Sequence, residues 1–74
     1  MTWCIIIHDR HVDDVVYLFK GTFQQAKEKA LEKLKAIRNF DITQHSDEFD
    51  EEYFYADMID GDYYALVCKP VILK

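Results

Sequence analysis

The chain has 74 residues, half of them apolar and 15% aromatic, with a formal net charge of −5. A chain of this length buries only about 60% of the surface that its unfolded state exposes, which excludes a second core and predicts one domain over residues 1–74. The apolar and aromatic content also excludes a disordered chain.

Cysteine content and the first apolar run bear on location. The chain has two cysteines, Cys4 and Cys68. Small secreted domains held together by disulfides usually contain more. The apolar run from Trp3 to Ile7 is too short for a signal peptide or a membrane span. We therefore expect a cytoplasmic protein with reduced thiols and no membrane partner.

Two runs at the N-terminus predict a β-hairpin. Trp3 to His8 and Val15 to Phe19 are rich in β-branched and aromatic residues. The segment between them, Asp9 to Asp14, is polar and contains no glycine. We therefore expect a loop of about four to six residues and not a tight two-residue turn.

A helix is predicted next, over about residues 22–39. Thr22 and Gln25 have the spacing of a capping box, in which each side chain satisfies a free backbone donor at the helix start. Asn39, which tolerates left-handed geometry, marks the expected end. Apolar residues at spacings of three and four predict the buried stripe of this helix: Phe23, Ala26, Ala30, Leu34 and Ile37, flanked by Leu31.

Residues 40–50 show no sustained periodicity and are predicted to be a connection. Ser46, followed by Asp47 and Glu48, is also compatible with the cap of a short second helix. This leaves two interpretations of the segment, a loop or a short helix.

The C-terminal part predicts a second hairpin. From Glu52 onward, Phe54, Ala56 and Met58 alternate with Tyr53, Tyr55, Asp57 and Ile59, as in a strand with one core face. Asp60-Gly61 is the strongest hairpin signal in the chain. The returning strand begins near Tyr63, and Pro70 near its end indicates an edge or a break in pairing.

These elements predict an α+β fold, a small antiparallel sheet with ββαββ order and the one amphipathic helix packed on one face. The other face of the sheet is then partly exposed. Tyr53, Tyr55 and Tyr63 are expected on that outward face.

Charge is distributed unevenly along the chain. Residues 1–38 carry seven basic and five acidic side chains, whereas residues 39–74 carry two basic and nine acidic ones. Nucleic-acid binding requires Lys and Arg at the phosphates, so direct binding of nucleic acid is disfavoured. A basic protein surface is the favoured partner.

Metal and catalytic constellations do not match known spacings. Cys4, His8 and His11, even with His45 or Cys68 added, fit no standard zinc signature. The acidic residues from Asp47 onward do not follow the calcium-loop pattern, and no nucleophile or phosphate-binding motif is present. We expect no cofactor and no enzymatic activity.

Recognition through a surface is the remaining hypothesis. Carboxylates along strands approximate the charge of a phosphate backbone, and tyrosines provide large, rigid contacts. A solvated acidic face that keeps the protein soluble is the alternative. The interleaved tyrosines favour binding.

The segment DEEYFYADM, Asp50 to Met58, resembles an acidic aromatic segment of an anti-CRISPR protein that occupies the site for the protospacer-adjacent duplex on Cas9. Small size and acidity are also similar to those of anti-CRISPR proteins, which phages and other mobile elements encode. The resemblance implies an inhibitor in the cytoplasm of a bacterial host, bound to a Cas protein or another nucleic-acid-binding defence protein. An antitoxin-like or accessory module and a homo-oligomeric phage component are alternatives, and the protein is either a monomer or a homodimer.

If the resemblance holds, acids stand in for phosphates and tyrosines make contacts. The implied partner-binding residues are Asp47, Glu48, Asp50, Glu51, Glu52, Tyr53, Tyr55, Asp57, Asp60, Asp62 and Tyr63.

Overall fold

The computed structural model describes residues 1–37, 39, 41–42, 44–47 and 53–70, with only the backbone described for 44–47. These residues form one helix and a five-stranded antiparallel sheet. The elements in chain order are β1 (Thr2–Asp9), β2 (Val12–Lys20), α1 (Phe23–Ile37), β3 (Gln44–Asp47), β4 (Tyr53–Met58) and β5 (Tyr63–Cys68). The spatial order of the strands is β2-β1-β5-β4-β3.

The predicted α+β class, with one helix on one face of an antiparallel sheet, is confirmed. α1 packs over β1 and β5, in the middle of the sheet. Between helix and sheet lie four alanines, whose small side chains let the helix approach the strands closely. They are Ala26, Ala30, Ala56 and Ala65, all fully buried.

The predicted start of the helix is confirmed by its hydrogen bonds. The backbone N–H of Gln25 donates to Thr22 Oγ1 at 3.1 Å, and the backbone N–H of Thr22 donates to Gln25 Oε1 at 2.9 Å. Gly21 precedes this capping box, and a Cβ there would lie 2.5 Å from Gln25 Oε1. The predicted end was near Asn39, which is not helical, and the helix extends to Ile37.

The apolar stripe of the helix is also confirmed. Ala26, Ala30 and Leu34 are buried, and Phe23, Leu31 and Ile37 are partly buried against the same core. The sheet contributes alternate residues to that core, as expected for a sheet with one covered face. These are Trp3, Ile5 and Ile7 from β1, Phe54, Ala56 and Met58 from β4, and Tyr63, Ala65 and Val67 from β5.

The connection between β1 and β2 is shorter than predicted. Only Arg10 and His11 separate the strands, and neither has a positive φ, so the expected loop of four to six residues is wrong. Asp9 Oδ1 accepts the His11 N–H at 2.9 Å, which satisfies a turn donor without glycine. The pairing register shifts between Ile7 and Asp9, an irregularity that absorbs an extra residue of β2.

Residues 44–47 form a short strand, where a connection or a second helix was predicted. β3 pairs antiparallel with β4 at the edge of the sheet. A segment of four residues is too short to show a strand periodicity in the sequence. Its conformation is decided by pairing with β4. β3 is additional to the four predicted strands.

The β4–β5 hairpin turns at Asp60-Gly61 as predicted. Ile59, Asp60 and Gly61 have φ values of 51°, 52° and 97°, and the Asp-Gly pair supplies residues that tolerate this left-handed geometry. The Asp62 N–H donates to the Ile59 carbonyl at 3.2 Å and closes the turn. β5 ends at Cys68, two residues before Pro70, and lies in the centre of the sheet, so Pro70 marks a break in pairing and not an edge strand.

Candidate protein-binding surface

The face of the sheet opposite α1 has no element packed on it among the described residues. We call it the open face. Strand register aligns its side chains in rows across the sheet. One row is Leu18, Cys4, Cys68 and Tyr53; the next is Val16, Ile6, Leu66 and Tyr55; the third contains His8, Tyr64 and Asp57, with Asp14 bonded to His8.

The open face is apolar and accessible. Leu18 is 72% exposed and Val16 is 60% exposed. Ile6, Leu66 and Tyr55 are half-buried in the same row, without the helix cover that buries their neighbours. A contiguous apolar patch with tyrosines beside it is typical of a protein interaction site.

The third row contains a chain of ring and carboxylate contacts. His8 Nδ1 donates to Asp14 Oδ1 at 2.6 Å, and the His8 ring stacks on Tyr64 with centroids 4.6 Å apart. The Tyr64 ring lies 5.5 Å from that of Tyr55, centroid to centroid. These contacts hold three flat side chains in fixed positions at one end of the open face.

Asp57 lies under this chain of contacts. Its side chain is 3% exposed, and Oδ2 accepts a hydrogen bond from the Tyr55 hydroxyl at 2.8 Å. Its Oδ1 atom is buried and has no hydrogen-bond partner among the described residues. Burial, followed by the hydrogen bond to Asp57 and its charge, raises the pKa of Tyr55 to about 12. Tyr55 therefore remains a neutral hydrogen-bond donor at physiological pH.

The two cysteines lie side by side on the open face. Cys4 of β1 pairs directly with Cys68 of β5, and both thiols are free and half-buried. Burial, and then the neighbouring Cys4, raises the pKa of the Cys68 thiol. The sequence left open whether the two cysteines are close, and the pairing of β1 with β5 brings them together.

The tips of the two hairpins meet at one end of the sheet. The Arg10 N–H donates to the Asp62 carbonyl at 3.1 Å, and the Arg10 guanidinium donates to Asp62 Oδ2 at 3.0 Å. We call the residues around these tips, 9–14 and 57–62, the acidic end. It contains one arginine and six aspartates: Asp9, Asp13, Asp14, Asp57, Asp60 and Asp62.

The helix side has the opposite charge balance. α1 carries four lysines and two glutamates, and Lys27 lies over the rings of both Phe23 and Phe54. Lys33 lies over the ring of Tyr17. Six aspartates therefore lie at the hairpin tips, whereas lysines outnumber glutamates on the helix.

The predicted binding residues fall into three groups in the structure. Tyr53 and Tyr55 lie on the open face, and Asp60 and Asp62 lie at the acidic end, where Asp62 pairs with Arg10. Asp47 is in β3, with only its backbone described. The remaining acids of the segment, Glu48, Asp50, Glu51 and Glu52, lie outside the described residues.

Two predicted placements are wrong. Tyr63 was expected on the outward face, but it is 5% exposed and lies in the core beside the helix. Asp57 was expected to be an exposed stand-in for a phosphate, but it is buried and bonded to Tyr55. Tyr64 is the tyrosine of β5 that lies on the open face.

The turn itself contained the signal for Tyr64. A turn centred on Asp60-Gly61 places Met58 opposite Tyr63 and Asp57 opposite Tyr64. Since Met58 was assigned to the core, Tyr63 had to follow it there. Asp13 and Asp14 were missed for a different reason, because their approach to the second hairpin depends on the pairing of β1 with β5.

Comparisons with protein-family models, with curated proteins and with solved structures find no match. Among the described residues, no group of three or more His, Cys, Asp or Glu side chains is arranged to hold a metal ion. The helix in the described part of the chain lacks the length and apolarity needed to cross a membrane.

Proposed function

We propose that the protein is a binding inhibitor that docks its open face on another protein. One observation carries this proposal: an uncovered apolar row, Val16, Ile6, Leu66 and Tyr55, lies beside an end of the sheet with six aspartates. The apolar row supplies desolvated contact area, and the tyrosines supply rigid anchors.

The acidic end defines the kind of partner. Asp13, Asp14 and Asp60 are exposed there, and Arg10 is neutralised by Asp62. Such a surface attracts basic partners and accelerates their association, while it repels nucleic acid. The partner that fits is a protein whose own basic surface binds nucleic acid.

The target we propose is a bacterial defence protein, in the manner of anti-CRISPR proteins. The support is the likeness of residues 50–58 to an anti-CRISPR segment, together with five acids immediately before β4 in the sequence, Asp47, Glu48, Asp50, Glu51 and Glu52. Tyr53 and Tyr55 follow these acids directly and lie on the open face. Inhibition would then consist of covering the nucleic-acid site.

The test is inhibition of DNA binding by purified Cas effector–guide complexes of several types. The wild-type protein is expected to block DNA binding by at least one of them. Asp13→Lys combined with Asp60→Asn removes acidity from the tips and is expected to weaken inhibition roughly tenfold. Asn is chosen at position 60 because it tolerates the positive φ found there.

A matched control changes the helix by the same amount of charge. Glu28→Lys combined with Glu32→Gln is expected to leave inhibition unchanged, because both residues lie on α1, away from the open face. Equal losses in the two variants would indicate a general charge effect and contradict the proposed surface. Failure to inhibit any effector in the panel would overturn the choice of target and favour the antitoxin-like, accessory or phage structural alternatives.

A further inference from the structure

β2 is a long, accessible edge strand. Among the described residues its neighbour is β1, and its other side is unpaired. Eight of its nine residues are exposed, Phe19 being the exception. Half of the backbone N–H and C=O groups of such a strand point away from the sheet and are available to another strand.

The middle of β2 lacks the features with which proteins normally protect an edge. Residues 15–19 (VVYLF) contain no charge, proline or glycine. Apolar residues project on both sides of the sheet: Val16 and Leu18 on the open face, Val15 and Tyr17 on the helix side. A covering strand would bury side chains on both faces at once.

The sequence of β2 is complementary to itself when it is reversed. If two copies pair antiparallel with Tyr17 opposite Tyr17, then Asp14 faces Lys20 of the second copy at both ends of the interface. Val16 then faces Leu18 on the open face. Opposite residues have the same parity in this register, so each apolar side chain meets one on the same side of the sheet.

The two neighbouring registers that preserve the faces are less favourable. With Leu18 opposite Leu18, Asp14 would face Thr22 and Lys20 would face Val16, so neither would meet an opposite charge. With Val16 opposite Val16, Asp14 would face Leu18 and Lys20 would face Val12. Both charges would then lie against apolar side chains without an opposite charge. Charge therefore selects the register centred on Tyr17.

We propose that two copies of the chain associate through β2, antiparallel about Tyr17, into one continuous sheet. The isologous arrangement is self-limiting, because each copy has one such edge in the interface. It also places the two acidic ends far apart, at opposite ends of the paired strands. Repulsion between two chains of charge −5 is thereby kept small.

The interface is at the small end of the range for specific complexes, so we expect a dissociation constant of roughly micromolar magnitude. Sedimentation equilibrium across the micromolar range should show a reversible transition from 8.8 kDa to twice that mass. Amide hydrogen exchange provides the second readout. Exchange of residues 15–20 should slow as concentration rises, while that of β4 should not change.

A charge-swap cycle tests the register. Asp14→Lys and Lys20→Asp each create two like-charge contacts per dimer, and each is expected to weaken association roughly tenfold. The double variant restores opposite charges and should recover most of the wild-type affinity. Glu28→Lys, an equal charge reversal on α1, is the matched control and should have little effect.

Thermal unfolding of each variant separates association from folding, because Asp14→Lys also removes the exposed contact to His8. A monomer at every concentration would overturn the proposal. A dimer that persists in Asp14→Lys and Lys20→Asp but is lost in Leu66→Lys would also overturn it, since that result assigns self-association to the open face. Polydisperse aggregates without rescue by the swap would also contradict it. Inhibition of DNA binding is measured separately, so this inference and the proposed function can fail independently.

Discussion

The two faces of the sheet are built from alternate residues of the same strands, yet they differ in what covers them. In β1, Ile5 under the helix is 1% exposed, whereas Ile6 on the open face is half-buried. Both are isoleucines in the centre of the sheet. The difference shows that α1, and not residue type, divides this small protein into a core face and a recognition face.

The comparison extends to charge. The helix that covers one face carries an excess of lysines, and the hairpin tips that border the other carry six aspartates and one arginine. In the part of the chain that the structure describes, one helix covers one side of the sheet. The open side has remained apolar, although polar residues there would have been sufficient for solubility.

The largest expected effect is on the free energy of unfolding, and it compares adjacent isoleucines on the two faces. Ile5→Ala should reduce the free energy of unfolding by about 2 to 5 kcal/mol, because it leaves a cavity in the covered core. Ile6→Ala, the matched control, should cost about 1 kcal/mol, because its side chain is already partly hydrated. Urea denaturation measures both. Equal losses would show that the open face is covered in solution.

A smaller effect is expected from the polar contact beneath the open face. Tyr55→Phe removes the hydroxyl that donates to buried Asp57 and should cost about 1 to 3 kcal/mol. Tyr64→Phe is the control, since its described contacts are made by the ring. If both variants lose the same stability, the Tyr55 hydroxyl has no special role.

Tyr55 also gives the stability an alkaline pH dependence. Its pKa is raised from 10.0 in a free tyrosine to about 12 in the folded protein. Below pH 10 the contribution is fully present, and as pH rises through 12 it is lost, because the unfolded chain releases the proton first. The wild-type protein should lose stability in this window, and Tyr55→Phe should lose less. A parallel decline in both would contradict the assignment.

The smallest expected effect concerns the thiols and leaves the fold intact. Cys4 and Cys68 lie on the open face, so an alkylating reagent should modify them without unfolding of the protein. A side chain on the covered face would become accessible only after unfolding. Because the pKa of Cys68 is raised, its alkylation at pH 8 should be slower in the native protein than in denaturant. Mass spectrometry of both states measures the ratio. Faster native labelling of Cys68 would contradict the structure.

Local signals in the sequence were sufficient for several elements. The capping box at Thr22, the apolar stripe from Phe23 to Ile37 and the Asp60-Gly61 turn each depend on residues within a few positions, and all three occur in the structure. The alternation of Phe54, Ala56 and Met58 also identified the core face of β4. These features succeed because helix and turn geometry is decided by neighbouring residues.

Features that depend on strand pairing were not predictable in the same way. The turn at Arg10 and His11 is tight because Asp9 caps it and because it contacts Asp62, which is distant in sequence. β3 is a strand because β4 is available to pair with it. Tyr63 was predicted on the outward face because it is a tyrosine. The register of β4 with β5 places Tyr64 there and Tyr63 in the core.

The sequence by itself determined the class of fold, the covering helix and the acidic character of the second half, since these follow from local periodicity and from summed charge. Only the tertiary structure placed β5 between β1 and β4, which set Cys4 beside Cys68 and brought the two hairpin tips together. That pairing left β2 as an open edge and moved the candidate surface from an acidic segment to a sheet face. The physical reason is that contacts between distant strands depend on which edges meet and in which register, and local sequence specifies neither.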